Sequence, residues 1–191
     1  WGLGFRGALG PGEIRDTDQH SDASITLVLP VRNEVETLPR LLADLSEGSV
    51  FPAEVIVIDD DSSDGTTQML ADLAAGGLPF ALRVLANPGS GKKAGLSTGI
   101  RAARTPWTVQ VDADVRVGKG FIAAIQHHLH RQGAQSDMLL LPLRLADRAN
   151  GSPQRMFDLL QALDFAAMQG WAVAAARRAR PAMASGGAWA L

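Results

Sequence analysis

Cysteine is absent from the 191 residues, which excludes disulfide bonds, thiolate metal sites and cysteine nucleophiles. The chain has no run of basic residues and a formal net charge of -2, so nothing in it indicates a nucleic-acid partner. No apolar run reaches the roughly 20 residues that a membrane-spanning helix needs. These three absences fit a soluble chain in a reducing compartment, and we expect a cytoplasmic location.

The remaining composition is that of an ordinary globular protein. A hydrophobic fraction of 46% and a charged fraction of 20% exclude a disordered or fibrous chain, and 191 residues suffice for one sizeable core. We predict a linker over residues 1–24 and an α/β domain over residues 25–144. Residues 145–191 are expected to form a helical segment and the incomplete start of a further region.

Short apolar runs alternate with amphipathic stretches along the predicted domain. Runs suited to strands buried on both faces cover residues 25–30, 54–58, 81–85, 108–111 and 138–142. Leucine and isoleucine recur at three- and four-residue steps after them, which predicts helices, and a long helix is expected over residues 154–177. Such alternation predicts an α/β fold with a mostly parallel central sheet and helices on both faces.

Polar loops follow the first four predicted strands. Asn33 and Glu34 follow the first, residues 59–61 the second, Lys92 the third, and Asp112 with Asp114 the fourth. The carboxyl ends of parallel strands meet at one edge of a sheet, and ligands bind in the crevice there. The four loops are therefore predicted to form one binding site.

Asp112 and Asp114 are the candidate metal ligands. Alternate side chains on an extended backbone share a face, so the two carboxylates are predicted to lie together and to hold Mn²⁺ or Mg²⁺. An isolated Asp-x-Asp is more often a solvated end of a strand, and the metal hypothesis depends on the neighbouring loops. Lys92 is likewise either a solvated helix start or a partner for phosphates that complete the metal shell.

Glu34 and Asp60 carry charge of the wrong sign for phosphate. They suit hydrogen bonds from ribose hydroxyls or from the imide of a base. The combination predicts a nucleoside diphosphate bound with its metal, and spacing does not identify the base.

Two other clusters have simpler interpretations. His127, His128 and His130 face different ways on a helix and are expected to serve the surface and packing. Arginines at 177, 178 and 180 suit a solvated helix end, with contact to anionic lipid or an acceptor phosphate as the alternative.

Four motifs in order resemble family 2 glycosyltransferases with the GT-A fold, a Rossmann-like fold that binds nucleotide-diphospho-sugars. Residues 25–34 resemble the opening strand and Pro-x-x-Asn-Glu loop, and residues 58–66 the Val-Asp-Asp-Gly-Ser-Thr-Asp-Gly-Thr segment. Residues 91–92 resemble the Gly-Lys loop, and residues 111–114 the metal-binding Asp-x-Asp. The match covers roughly residues 25–116.

The resemblance implies an activity and roles for individual residues. It implies transfer of a sugar, with inversion, from a nucleotide diphosphate donor to an acceptor hydroxyl, with UDP as the expected nucleotide and Mn²⁺ or Mg²⁺ stabilising the departing diphosphate. Donor contacts are implied for Pro30, Asn33, Glu34, Asp60, Lys92 and Asp112, and metal ligation for Asp114 and Asp112. The acceptor, whether a lipid, a polysaccharide or a small molecule, is not implied, and a lipid acceptor would bring the full protein to the cytoplasmic face of a membrane.

The chain also departs from the family pattern. Asp61 stands where the family usually has Gly, Ser97 where Asn is common, and residues 185–188 only loosely resemble the family's Asn-Gly-Ala-Asn stretch. The general base of an inverting transfer is expected beyond Leu191, so we expect the chain to supply donor binding and to show little transfer alone.

Three other functions are weighed against the transferase. One is a non-catalytic nucleotide-sugar-binding module, which keeps the donor site. A receiver-like regulatory domain would explain residues 59–61 but not Asp112 and Asp114. A sugar nucleotidyltransferase would need a Gly-rich loop with Arg after the first strand, and that loop is absent.

Overall fold

Strands and helices alternate in the computed structural model, which describes residues 24–132, 139–141, 156–177 and 188–190. The elements are β1 (Ile25–Val31), α1 (Leu38–Ser46), β2 (Glu54–Asp59), α2 (Thr66–Ala75), β3 (Ala81–Ala86), α3 (Lys92–Ala102), β4 (Trp107–Val111), α4 (Phe121–Gln132), β5 (Leu139–Leu140), α5 (Met156–Arg177) and β6 (Ala188–Ala190). Each predicted strand and helix has a counterpart here. The predicted linker lies outside the described residues, apart from residue 24.

The elements form one six-stranded sheet in the order β3-β2-β1-β4-β6-β5. The first four strands in that order pair in parallel, which confirms the predicted α/β fold with a mostly parallel sheet. Strand β6 pairs antiparallel with both β4 and β5. Strand β6 was not predicted, because its three residues, two alanines and a tryptophan, are too few to carry an alternation and follow a stretch of small residues.

Both faces of the sheet carry helices. Leu38, Leu41, Leu42 and Leu45 of α1, Leu70 of α2, and Ile122, Ile125 and Leu129 of α4 join the odd-numbered residues of β1 in the larger core. On the other face, Val28, Ile56 and Ile58 pack with Leu96 and Ala102 of α3. The central strands are buried on both sides, which is why their sequences read as continuous apolar runs.

Two glycines let α3 approach the sheet closely. Gly95 and Gly99 are the buried residues of this helix. A Cβ atom placed on Gly99 would lie 2.3 Å from Cγ1 of Val28 and 2.6 Å from Cδ1 of Ile58. A Cβ on Gly95 would lie 3.2 Å from Cβ of Pro30. The helix therefore runs against the backbone of β1 and β2, and its first residue, Lys92, begins at the edge where those strands end.

A buried carboxylate, that of Glu54, lies at the opposite end of the sheet, where the strands begin. Glu54 accepts hydrogen bonds from Thr26 Oγ1 (3.0 Å), Arg83 Nη1 (2.8 Å) and the backbone N–H of Arg104 (3.0 Å). Burial alone would raise the pKa of Glu54, but these donors outweigh it and bring the pKa below its ordinary value. These polar groups at the amino ends of the strands thus satisfy one another's hydrogen-bonding capacity.

The long helix α5 differs from the others because it exposes large apolar side chains. Leu160 is 56% exposed, Leu163 67% and Trp171 70%, whereas Ala172 is buried. Within the described residues, no helix has the length and hydropathy needed to cross a bilayer. His127 and His130 are exposed and His128 is half-buried. Arg178 and Arg180 lie outside the described residues.

We predict that Gly99→Ala destabilises the fold by about 1–3 kcal/mol, because the added methyl group must displace Val28 in a packed core. At an open position of a helix, a glycine-to-alanine change stabilises the fold instead of destabilising it. Gly170 of α5 is such a position, because nothing lies within 4 Å of the place that a methyl group would take. Gly170→Ala should therefore be neutral or stabilising by up to about 1 kcal/mol. Urea unfolding of both variants checks the pair, and a Gly99→Ala variant as stable as the parent would contradict the close packing.

Candidate functional site

The predicted site residues lie at the carboxyl ends of the four parallel strands. Strands β1 and β4 are neighbours, while the chain proceeds from β1 to β2 and β3 in the other direction. The sheet therefore has its switch point between β1 and β4, where α/β sheets open a crevice for ligands. Pro30 lies inside β1, half-buried and opposite Ile58. Lys92 is the first residue of α3, and the other predicted residues lie in the loops beyond the strands.

Asn33 joins the loop after β1 to the loop after β2. Its backbone N–H donates to Ser62 Oγ at 2.9 Å, and its Oδ1 accepts the backbone N–H of Ser63 at 2.8 Å. The backbone at Asn33 has a φ of 58°, a left-handed conformation that asparagine tolerates better than most residues. Asn33 is exposed, so this link lies at the surface of the crevice.

Glu34 begins the approach to α1. Its backbone N–H donates to Thr66 Oγ1 at 2.9 Å, and its carboxylate accepts a hydrogen bond from the hydroxyl of Thr37. The side chain is half-buried. Glu34 therefore has a fixed position between the first two loops.

The loop after β2 is held by two carboxylates that flank it. Asp59 accepts the N–H of Ser62 at 3.1 Å and the hydroxyl of Thr67 at 2.6 Å, and these bonds lower the pKa of Asp59 although burial opposes them. Hydrogen bonds from Thr66, at 2.6 Å and 3.0 Å, and from the N–H of Val35 hold the pKa of Asp64 below its usual value. The N-cap position of α2 is Gly65, with a φ of 97°, and Asp64 beside it accepts the N–H of Thr66.

Asp60 joins the loop after β2 to the loop after β3. Its carboxylate accepts the backbone N–H of Gly91 at 2.9 Å and 3.1 Å and the side-chain amide of Asn87 at 2.6 Å. Arg32 lies 3.9 Å away. A carboxylate offers about four acceptor sites, so these bonds leave capacity for a ligand donor. Asp60 thus serves first to hold Gly91, the residue before α3.

Lys92 and Asp112 come together across the crevice. Nζ of Lys92 lies 2.6 Å from Oδ1 of Asp112, with the two side chains 50% and 32% exposed. The same Oδ1 accepts a hydrogen bond from Nε2 of Gln110 at 2.7 Å. The end of β4 and the start of α3 therefore meet at one carboxylate oxygen.

The predicted geometry of Asp112 and Asp114 is wrong in one respect. Strand β4 ends at Val111, and a turn follows in which the N–H of Val115 donates to the carbonyl of Asp112 at 3.1 Å. The strand alternation that was expected to place both carboxylates on one side therefore stops before the pair. Asp112 is half-buried and Asp114 is exposed.

The loop that carries Asp114 is anchored to α1. Asp44 accepts two hydrogen bonds from the guanidinium of Arg116, at 2.6 Å and 2.7 Å, and one from the N–H of Val117 at 3.2 Å. The bonds from Arg116 hold the pKa of Asp44 below its ordinary value, although burial opposes them. The segment after Asp114 is thereby fixed.

The carboxylates at this edge fit a metal ion only together with a ligand. Among the described residues, no group of three or more His, Asp, Glu or Cys could hold an ion alone. Mg²⁺ is usually held by one or two carboxylates together with substrate phosphates, and two neighbouring aspartates with all-oxygen ligands meet that requirement. The Lys92 ammonium beside Asp112 shows that this carboxylate already balances a cation. The residues fit a metal that arrives with a diphosphate.

Sequence reasoning missed Asn87 and Gln110. Asn87 precedes Pro88 and Gly89, a sequence that by itself indicates only a turn. Gln110 is the single long polar side chain inside the buried residues of β4, and that exception to the apolar pattern was the available signal.

We predict a pH dependence of stability from Asp64. Because its pKa is lowered in the fold, its stabilising contribution is fully present above the ordinary Asp value, about 4, and is lost as the pH falls through the folded pKa. Asp64→Asn should lower the urea midpoint at pH 7, and the difference from the parent should shrink below roughly pH 4. Urea unfolding between about pH 3 and 7 measures the difference across that window. A constant difference over the whole range would contradict the role of the carboxylate.

Comparison with known proteins identifies a family and several relatives. The family model described as glycosyl transferase family 2 matches residues 26–173. An undecaprenyl-phosphate 4-deoxy-4-formamido-L-arabinose transferase of Pseudomonas fluorescens is 32% identical over 95 residues, which are 48% of this chain and 28% of the relative. A 4,4'-diaponeurosporenoate glycosyltransferase of Staphylococcus haemolyticus is 29% identical over 138 residues, 72% of this chain and 36% of the relative.

Solved structures share the fold. The crystal structure of S. aureus TarS 1-349 aligns with a TM-score of 0.57 and 24% identity, over 70% of this chain and 39% of that chain. The chain spans about a third of the length of the curated relatives it matches. The receiver-like alternative has no support among these matches. Since the family model covers most of the sequence, the chain belongs to glycosyl transferase family 2.

Proposed function

We propose that this chain binds the donor in the transfer of a sugar from a nucleotide diphosphate sugar to an acceptor hydroxyl. The observation that carries the proposal is the meeting of Lys92 and Asp112 at 2.6 Å, at the edge where four polar loops converge. Membership of glycosyl transferase family 2 supports the reaction class. UDP is the proposed nucleotide, and the transfer is proposed to be inverting.

The nucleoside is assigned to the loops after β1 and β2. Asn33 is fixed by a hydrogen bond to the second loop and Glu34 by one to the start of α2. Asp60 is fixed by its bonds to Gly91 and Asn87. A preorganised acceptor loses little conformational freedom when a ligand binds. We assign Glu34 and Asp60 to ribose hydroxyls or the base imide, and Asn33 and Pro30 to the wall of the same pocket.

The diphosphate is assigned to Lys92, Asp112 and Asp114. A half-exposed ion pair contributes only about 0–1 kcal/mol to stability, so Lys92 can exchange Asp112 for a phosphate oxygen at little cost. Asp112 and Asp114 would then hold Mn²⁺ or Mg²⁺ together with the diphosphate. Such an ion, when bound, supplies Lewis-acid stabilisation of the departing nucleotide.

The residues of this chain have separate tasks in that reaction. Lys92 balances negative charge that develops on the leaving diphosphate, and the fixed first and second loops orient the nucleoside so that the sugar carbon is presented to the acceptor. The site residues assigned above all serve the donor. The proton of the acceptor hydroxyl needs a further base, to which we assign none of them.

A lipid is the proposed acceptor. Relatives from Pseudomonas fluorescens and Aeromonas hydrophila are named for undecaprenyl phosphate. A lipid acceptor, whether it offers a hydroxyl or, as undecaprenyl phosphate does, a phosphate oxygen, requires a transferase that works at a membrane surface, and we propose the cytoplasmic face. A polysaccharide or small-molecule acceptor is the alternative.

A thermal-shift titration with UDP, GDP and dTDP, each with Mn²⁺ and with chelator, tests the donor site. A ligand at about 100 times its Kd stabilises the folded state by about 2.7 kcal/mol. For a chain of this size that corresponds to a rise in Tm of roughly 5–10 °C. We expect this rise with UDP and Mn²⁺, and its loss with chelator.

Asp114→Ala should abolish the metal-dependent rise. Asp72→Asn is the matched control, because the Asp72 carboxylate contacts Gln68 on the same helix and belongs to no loop of the site. It should keep the full rise. A chain whose Tm responds to none of the three nucleotides would contradict the proposed function.

A further inference from the structure

Gln110 is a buried polar side chain that the assignments above leave without a role. It is fully buried on β4, with Val28 of β1 and Trp189 of β6 as its neighbours in register. Val109 and Val111 on either side of it belong to the larger apolar core. A leucine or methionine would fill the same space with no polar group to satisfy, so packing does not explain the amide.

Of the two polar groups of the Gln110 amide, the NH₂ group has a hydrogen-bond partner among the described residues and the carbonyl has none. Its Nε2 donates to Oδ1 of Asp112 at 2.7 Å, whereas its Oε1 is buried and has no hydrogen-bond partner in the part of the chain that the structure describes. An ionised carboxylate can only accept, so the NH₂ group must face Asp112 and the carbonyl must face the interior. The orphaned carbonyl is therefore a consequence of the bond to Asp112.

The energetic terms of this arrangement oppose each other. A buried acceptor without a partner costs about as much as a hydrogen bond to a charged group contributes, so the net stabilisation is close to zero. A side chain that does not stabilise the fold and points at a candidate ligand suggests a role in the site.

Gln110 and Lys92 hold the same oxygen in different ways. Lys92 is 50% exposed and lies on a long flexible chain, so it can leave when a phosphate arrives. Gln110 is locked inside the sheet and cannot. Gln110 and Asp112 are two residues apart where β4 ends, and the 2.7 Å contact between Nε2 and Oδ1 shows that their side chains meet on one side of the chain.

We propose that Gln110 is a positioning residue that fixes the orientation of the Asp112 carboxylate for the metal-diphosphate of the donor. The inference rests on the proposed function of Asp112. By occupying Oδ1 from inside the sheet, the amide directs the other oxygen, Oδ2, to be the ligand. Groups of this kind beside a metal ligand typically change metal affinity by about 10–100-fold when they are removed.

Gln110→Met tests the role, because methionine has a similar length and removes both the donor and the orphaned carbonyl. Its Tm without ligand should equal or exceed that of the parent. Its affinity for Mn²⁺ in the presence of UDP should fall by about 10–100-fold, measured by Mn²⁺ electron paramagnetic resonance of the free ion. Thr108→Val is the control on the same face of β4, two residues farther from Asp112, and should keep the parent's affinity.

A second measurement reads the hydrogen bond directly. The side-chain amide resonances of Gln110 in a ¹H–¹⁵N spectrum should shift when Asp112 is replaced by Ala, without any ligand present. Equal Mn²⁺ affinity in the parent and Gln110→Met, or unmoved amide resonances, would overturn the positioning role alone. A parent chain that binds no Mn²⁺ with UDP would overturn the proposed function itself.

Discussion

The carboxylate of Asp60 fixes the point at which helix α3 begins, and the geometry of the site depends on that. Asp60 directly follows β2, and both oxygens of its carboxylate accept the N–H of Gly91. One of these oxygens also accepts the side-chain amide of Asn87, in the same loop as Gly91. The next residue after Gly91 is Lys92, whose ammonium group then reaches Asp112 at the end of β4. Because β1 lies between β2 and β4, this series of contacts bridges the switch point of the sheet. Glycines at 95 and 99 hold the rest of α3 against the strands, so that its start cannot drift from the edge.

Polar groups at the two ends of the sheet differ in their burial and in their hydrogen-bond partners. At the amino ends, Glu54 has partners on β1, on β3 and in the loop before β4, and its side chain is buried. At the carboxyl ends, the Asp112 carboxylate faces a half-exposed cation and the crevice. A site that binds a charged ligand needs groups whose hydrogen bonds are incomplete until the ligand arrives. The difference between the two ends is the physical reason to place the donor at the second.

The sequence predicted the strands and the edge at which the polar loops meet, because buried parallel strands read as uninterrupted apolar runs and their order puts the loops together. It could not predict how the loop residues divide their hydrogen bonds. Asp60 was expected to face a nucleoside and first holds Gly91, and the alternation assumed for Asp112 and Asp114 ends at Val111. Strand β6 was missed because three residues are too short to carry a period. The partner of Asp112 inside the sheet was missed because strand patterns do not show contacts between side chains.

The most direct measurement is the position of the metal in crystals of this chain grown with UDP and Mn²⁺, located by anomalous scattering. We predict an Mn²⁺ peak bonded to an oxygen of Asp112 or Asp114 and to the diphosphate, with Lys92 turned from Asp112 to a phosphate oxygen and the uracil beside Asp60. UDP and Mn²⁺ bound together away from the carboxyl edge of β1 and β4 would contradict the assignment of the donor site.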